Sequence, residues 1–145
     1  MIPESYGIER VNVSALTAFS GNPRTHSDTQ IDQIAASIRE FGWTNPILVD
    51  AGGVIIAGHG RLAAATRLGL DQVPVIRLGH LSDAQRKALV IADNQLALNA
   101  GWDEVALSNL VRELDAEKFE LDLLGFDGAD LDRYLADLES TGKKK

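Results

Sequence analysis

The most constraining stretch of the chain runs from Val54 to Gly69. Val54-Ile55-Ile56-Ala57 reads as a short apolar strand, and Gly58-His59-Gly60-Arg61 follows it at once. Leu62 to Leu68 is an Ala-rich helix, with Gly69 placed to stop it. A strand that enters a Gly-containing turn and then a helix leaves backbone N–H groups unpaired at the turn. Those groups and the helix dipole make an anion site. Gly58 and Gly60 carry no Cβ, so a phosphate can approach the backbone closely. Arg61 supplies a forked donor matched to phosphate oxygens. His59 can donate to a phosphate or shuttle a proton. The alternative is a turn whose glycines merely permit the geometry and whose Arg pairs with an acid, and the pattern alone does not choose. It is neither G-x-x-x-x-G-K-[ST] nor G-x-G-x-x-G.

The surrounding pattern fits an α/β unit. Val11 and Val13 alternate with polar neighbours in an N-terminal strand or arm spanning residues 1–26, which ends at the Gly21-Asn22-Pro23-Arg24 breaker. Ser27 to Gln30 has the form of a capping box, and Ile31, Ile34, Ala35, Ile38 and Phe41 repeat at helical spacing up to Gly42. Pro46 to Asp50 reads as a strand that returns through Gly52-Gly53. Val73 to Ile76 is a third strand, and its Pro74 predicts a strand start or an edge. Ser82 to Gln85 is a second capping box. The helix it opens is apolar nearly all round at Ala88–Ala92, which predicts deep burial.

Beyond Gly101 the chain reads as helical. Asp103 and Asp127 are candidate caps. Val105, Leu107, Leu110, Val111 and Leu114 form one expected apolar face, and Leu131, Tyr134, Leu135 and Leu138 another. The expected organisation is an α/β domain over 1–100, a helical extension packed on it over 101–139, and a tail or linker start over 140–145.

Composition narrows the function classes. With 0 Cys, a disulfide scaffold, a zinc-thiolate site and a cysteine nucleophile are excluded. Apolar residues at 45% and charged residues at 24% fit a globular chain. The 145 residues suffice for a core burying roughly two thirds of the unfolded surface. No apolar run reaches the roughly 20 residues of a membrane span, and Met1 to Arg10 has no apolar signal core, so a cytoplasmic protein is expected. The net charge of −7 argues against tight autonomous DNA binding, because phosphate neutralisation by Lys and Arg supplies most such affinity.

Three further segments bear on chemistry. Asp93-Asn94-Gln95 interrupts an apolar helix; it either holds Mg²⁺ and phosphates through oxygen ligands or marks a solvated helix end. Arg24, on the loop Asn22 to His26, either closes over a ligand or is an exposed turn residue. Trp43-Thr44-Asn45 lines a base or sugar pocket, or Trp43 covers the core; Trp102 reads as a helix-packing aromatic. His26, His59 and His80 show no metal-ligand spacing, and no Ser-His-Asp or H-E-x-x-H pattern is visible.

Taken together, the segments Gln33 to Gly42, Asn45 to Val49, Ile55 to Ala65, Leu68-Gly69 and Val73 to Val75 resemble the N-terminal domain of the ParB/sulfiredoxin-like superfamily. The resemblance covers roughly residues 8–100. It implies a small mixed β-sheet with helices, here with a C-terminal helical extension. Ile91 to Leu98, Gly101-Trp102-Asp103 and the Leu124 to Asp127 turn are similar to the phage and prophage subgroup, often fused to or encoded beside DNA methyltransferases. No D-P-P-Y-type methyltransferase motif occurs in this chain.

The resemblance also implies site residues. The second box of partition-type ParB is a Gly-Glu-Arg-Arg run contacting the phosphates of CTP; Gly58 and Arg61 match it, while His59 and Gly60 depart from it. In related free-serine kinases the box is Asp-Gly-His-His-Arg; Gly58, His59 and Arg61 match, and Ala57 stands where the Asp would be. Sulfiredoxin chemistry needs a Cys that is absent. Asp93-Asn94 resembles the Glu-Asn pair that helps hold phosphate and Mg²⁺.

The expected ligand is therefore a nucleoside triphosphate, CTP or ATP, with Mg²⁺. The expected nucleotide- or phosphate-binding residues are Gly58, His59, Gly60, Arg61, Asn94, Arg24 and Asn45, with Asp93 on the metal and His59 as the one candidate catalytic base. Three readings follow. One is a nucleotide-binding regulatory module of a DNA-modification or partition system, partnered by a methyltransferase domain or subunit or by a second copy, and touching DNA only indirectly or weakly. The second is a phosphoryl-transfer or hydrolytic enzyme: an NTPase, a small-molecule kinase or a nuclease. The third is a non-catalytic interaction module using the apolar faces of its C-terminal helices.

Overall fold

The structure, a computed structural model, describes residues 6–144, with side chains described through residue 136. Residues 1–5 of the expected arm, Lys145 of the expected tail and the side chain of Leu138 lie outside the described residues. The chain divides into two compact units, Met1–Asn99 and Ala100–Lys145.

The first unit is built on a mixed four-stranded sheet, as the α/β pattern predicts. Strand β1 (Ile8–Asn12) leads through a 3-10 turn (Val13–Ala15) and a loop to helix α1 (Asp28–Phe41). Strands β2 (Ile47–Val49) and β3 (Ile55–Ala57) form the hairpin across Gly52-Gly53. Helix α2 (His59–Arg67), strand β4 (Gln72–Arg77) and helix α3 (Asp83–Asn99) complete the unit. The sheet order is β1-β4-β2-β3, with β4 antiparallel to β1 and parallel to β2. Val13, expected to continue the strand alternation, instead opens the 3-10 turn.

The side-chain period of two sends alternate strand residues to opposite faces. Ile47, Val49, Ile55, Val73 and Val75 are fully buried on one face with Ala65 of α2, and Val11, Trp43 and Leu62 pack against them. Ile56 turns to the other face with Leu78 and with Val90 of α3. Burial of each such Val or Ile stabilises the fold by about 1.5–3 kcal/mol. Helices α1 and α2 are tied by Arg67, which pairs with both Asp28 and Asp32.

Pro74 corrects the edge expectation. It lies in β4, which is flanked by β1 and β2, opposite Arg10 of β1. Pairing with β2 begins only at Val75, so Pro74 sits where β4 has a single neighbour and its missing N–H leaves the β2 ladder intact. The expected deep burial of the 88–92 run is also not found. Only Val90 of α3 is buried, and Ile91, Leu96 and Leu98 are 60%, 68% and 61% exposed. Consecutive apolar residues wrap around a helix at about 100° each, so one packed face cannot take them all.

The second unit holds α4 (Glu104–Ala116), a 3-10 turn (Leu121–Leu124) and α5 (Gly128–Lys144). The side chains of Asp103 and Asp127 accept the amides of Ala106 and Asp130, so both candidate caps are used. Leu107, Val111, Leu131 and Tyr134 form its core, with Leu121, Leu124, Phe126 and Leu135 packed around them. Phe126 meets Tyr134 edge-on at 5.1 Å and Trp102 at 5.9 Å. Val105 and Leu110, expected on the core face of α4, are exposed. The stretch from Ser140, expected as a tail, continues the α5 backbone through Lys144. Among the described residues no helix is long and apolar enough to cross a membrane.

Candidate functional site

The strand–turn–helix passage is tighter than the sequence implies. β3 ends at Ala57, Gly58 caps α2, and the helix begins at His59 rather than Leu62. Gly58 has φ +111°, a conformation that glycine adopts without penalty. A Cβ there would also lie 3.0 Å from Ile47 Cγ1 and 3.1 Å from Arg61 Nη2. Gly60 has a different reason from the expected one. A Cβ on it would lie 2.9 Å from Ile34 Cδ1 and 3.0 Å from His26 Cε1, so the space above it is filled by the protein rather than left open for a phosphate.

A cavity of about 190 Å³ opens at this N-terminus. From the turn come Gly58, His59, Gly60 and Arg61; from the preceding loop and α1 come Arg24, His26, Gln30 and Ile34; α3 adds Asp93 and Asn94. The packing of α3 against the β3 side of the sheet places its middle beside the start of α2. Asp93-Asn94-Gln95 therefore lies inside α3, not at its end. The volume falls below the ~300–1,000 Å³ of pockets that enclose a whole small ligand, so it suits one end of a ligand.

Arg61 brings a partly buried cation to the cavity. Its Nη2 donates to the Pro46 carbonyl at 3.1 Å. Its Nε is the one buried side-chain nitrogen or oxygen without a hydrogen-bond partner among the described residues. An unpaired buried donor is costly unless a ligand satisfies it. Burial lowers the pKa of Arg61 and the Asp93 charge works the other way, but an arginine stays charged throughout.

His59 lines the cavity with one ring nitrogen already engaged. Its Nε2 accepts the Phe19 amide at 3.0 Å, so the lone pair a base would use is already engaged. Burial, and then the charge of nearby His26, hold its pKa below the ordinary 6.5. The ring is thus neutral at pH 7, with Nδ1 as its remaining donor. Asn94 donates Nδ2 to the Val90 carbonyl of its own helix at 2.9 Å. Asn45 is not brought to the cavity; its carbonyl accepts the Trp43 indole N–H at 2.7 Å, and Trp43 covers the core.

His26 and Gln30 are the site residues not singled out in the sequence. Gln30 stands where a capping box would turn its side chain back to Ser27. Ser27 Oγ does accept the Gln30 amide, but Gln30 Oε1 bonds His26 Nδ1 at 2.7 Å instead. The second box is complete: the Ser82 amide reaches Gln85 Oε1 and Ser82 Oγ accepts the Gln85 amide. A histidine directly before a cap was the available signal for this diversion.

Among the described residues no group of three or more His, Cys, Asp or Glu is placed to hold a metal. Asp93 offers a single carboxylate to the cavity. That donor set fits Mg²⁺, which takes one or two carboxylates and completes its shell with phosphate oxygens and water.

The model of the ParB N-terminal domain matches residues 3–95. The chain belongs to the ParB N-terminal domain family. Within it, the chain is 53% identical over 72 residues to the ParB-like nuclease domain-containing protein YnaK of Escherichia coli (strain K12), covering 50% of this chain and 83% of that protein. It is 35% identical over 111 residues to a nucleoid occlusion protein of Bacillus cereus (strain B4264), covering 72% of this chain but only 38% of that protein. The structure of C-terminally truncated chromosome-partitioning protein ParB from Caulobacter crescentus, complexed with CTP-γ-S, superposes with TM-score 0.72 at 23% identity, over 89% of this chain and 77% of that one. At that identity the likeness is one of fold.

Proposed function

We propose that this ParB-like domain binds a nucleoside triphosphate with its phosphates at the N-terminus of α2. The observation that carries the reading is the orphaned Arg61 Nε beside a cavity at a helix N-terminus. Arg24, the Nδ1 donor of His59 and the first amides of α2 would meet phosphate oxygens. Asp93, with Asn94 beside it, would hold Mg²⁺ against the same phosphates; bound there, the ion would supply charge neutralisation. The cavity's modest size fits a triphosphate end whose sugar and base lie beyond it. CTP is the first candidate, because the similar Caulobacter ParB was solved with a CTP analogue.

The engaged Nε2 of His59 favours a binding module over a phosphoryl-transfer enzyme that needs a free base. Within a DNA-modification or partition system, a methyltransferase partner is supported by the resemblance of Ile91–Leu98, Gly101-Trp102-Asp103 and Leu124–Asp127; a second copy is the alternative partner. Calorimetric titration of CTP, ATP and GTP with Mg²⁺ tests the nucleotide reading. Saturable binding of one of them supports it, and flat titrations with all three overturn it.

A further inference from the structure

The hydrogen bond into His59 has a consequence at a distance. The Phe19 amide donates to His59 Nε2 at 3.0 Å. The Phe19 carbonyl accepts the Asn22 amide at 3.2 Å, and Asn22 Oδ1 accepts the Arg24 amide at 3.2 Å. Each bond ends on the residue where the next begins, so a continuous relay runs from the first residue of α2 to Arg24. Before the relay, Thr17 is fixed on the β3 hairpin through its bonds with Gly53 and Ile55. After it, His26 is fixed by Gln30 of α1. Among the described residues, the Phe19–His59 bond is the one hydrogen bond that joins residues 18–25 to another part of the chain.

We propose that His59 is a positioning residue: its unprotonated Nε2 anchors the loop Phe19–Arg24 and thereby holds Arg24 at the cavity. The effect on ligand rests on the nucleotide reading above; the anchor does not. An imidazolium carries a proton on both nitrogens and cannot accept an amide, so protonation removes this tie and leaves Phe19 held by its packing against Ile56, Leu78 and Val90. The charged and titratable groups that line the cavity with His59 are His26 from the segment before α1, Arg24 from the loop, Arg61 from its own helix and Asp93 from α3, and of these His26 acts on the His59 ring. Burial and His26 both oppose protonation, so the anchor holds at neutral pH and fails only on acidification below 6.5.

The test is amide hydrogen exchange, read by NMR on the ligand-free chain. Variants are His59→Ala, and His59→Gln, whose Oε1 can accept where Nε2 does. The amides of Phe19, Asn22 and Arg24 are expected to lose protection together, by about ten-fold, in His59→Ala. His59→Gln should retain it, and the central strands should not change. Acidifying the unmutated chain gives the same readout without a substitution: the three protection factors should fall together as the His59 ring titrates. Titration of CTP with Mg²⁺ adds the ligand arm. Arg24→Ala should weaken binding in the unmutated and His59→Gln backgrounds, but by less than about two-fold in His59→Ala, where the hydrogen-bonded tie between the loop and α2 is already gone. Unchanged protection of Phe19 in His59→Ala and on acidification overturns the anchor. An equal effect of Arg24→Ala in all three backgrounds overturns its coupling to Arg24. Absence of nucleotide binding with the exchange pattern intact overturns the nucleotide reading alone.

Discussion

Arg61 reaches out of the first turn of α2 and donates its Nη2 to the Pro46 carbonyl at 3.1 Å. That bond engages one end of the guanidinium and leaves its buried Nε without a hydrogen-bond partner. A charged hydrogen bond is worth about 1.5–3 kcal/mol, so Arg61→Ala should weaken binding of CTP with Mg²⁺ about ten-fold or more. Arg61→Lys should not restore it, because an ammonium cannot bridge the Pro46 carbonyl and a phosphate with a planar fork. Calorimetry on the three proteins decides this; an affinity for Arg61→Ala equal to that of the unmutated chain would remove Arg61 from the site.

Asp50 anchors the hairpin that leads into the site. Its Oδ1 accepts the amides of Gly52 and Val54, both at 2.9 Å, and its Oδ2 pairs with Arg86. Burial alone would raise its pKa, but the Val54 amide, Arg86 and the Gly52 amide together bring it below 3.8. A lowered carboxylate stabilises the fold fully above the unfolded value near 3.8, and that stability is lost as pH falls through the folded value. Asp50→Asn should cost about 1.5–3 kcal/mol at neutral pH and flatten the acid limb of the pH–stability curve. Urea unfolding at several pH values measures both, and an unchanged acid limb would contradict the assignment.

Gly53 should tolerate no side chain. It has φ +86°, and a Cβ would lie 2.9 Å from the backbone oxygen of Ala15, which cannot rotate away. Gly53→Ala should destabilise by about 1–2 kcal/mol for the left-handed conformation alone, with overpacking added. The midpoint of urea unfolding should drop at unchanged slope.

The cap of α3 is testable separately from the cavity. Ser82→Ala removes the side-chain acceptor of the Gln85 amide and should cost about 1 kcal/mol. Affinity for nucleotide should stay within about two-fold, since Ser82 does not line the cavity. A larger loss of affinity would mean that α3 moves when its N-terminus frays.

Local signals were legible where physics is local. The hairpin at Gly52-Gly53, the stop at Gly42 and the Ser82 capping box each depend on residues within one turn of each other. The residues of the site were legible to the extent that they cluster at Gly58–Arg61. Asn45 was not, because whether a loop residue faces a cavity or a tryptophan depends on how the sheet turns the chain. Gly60 was assigned an open face for the same reason: nothing near it in sequence reports that Ile34 and His26 fill that space.

From the amino-acid sequence alone come the α/β class, the helix caps, the strand–turn–helix passage at Gly58–Arg61 and the family resemblance, because period, capping and turn chemistry act between neighbours. The partners of His59 were decided only by the tertiary structure. Phe19 stands 40 residues away from His59 and offers a backbone amide, a donor that every residue but proline carries and that no sequence pattern marks. Folding the loop 18–25 over the start of α2 makes the His59 Nε2 an acceptor, and that choice belongs to packing.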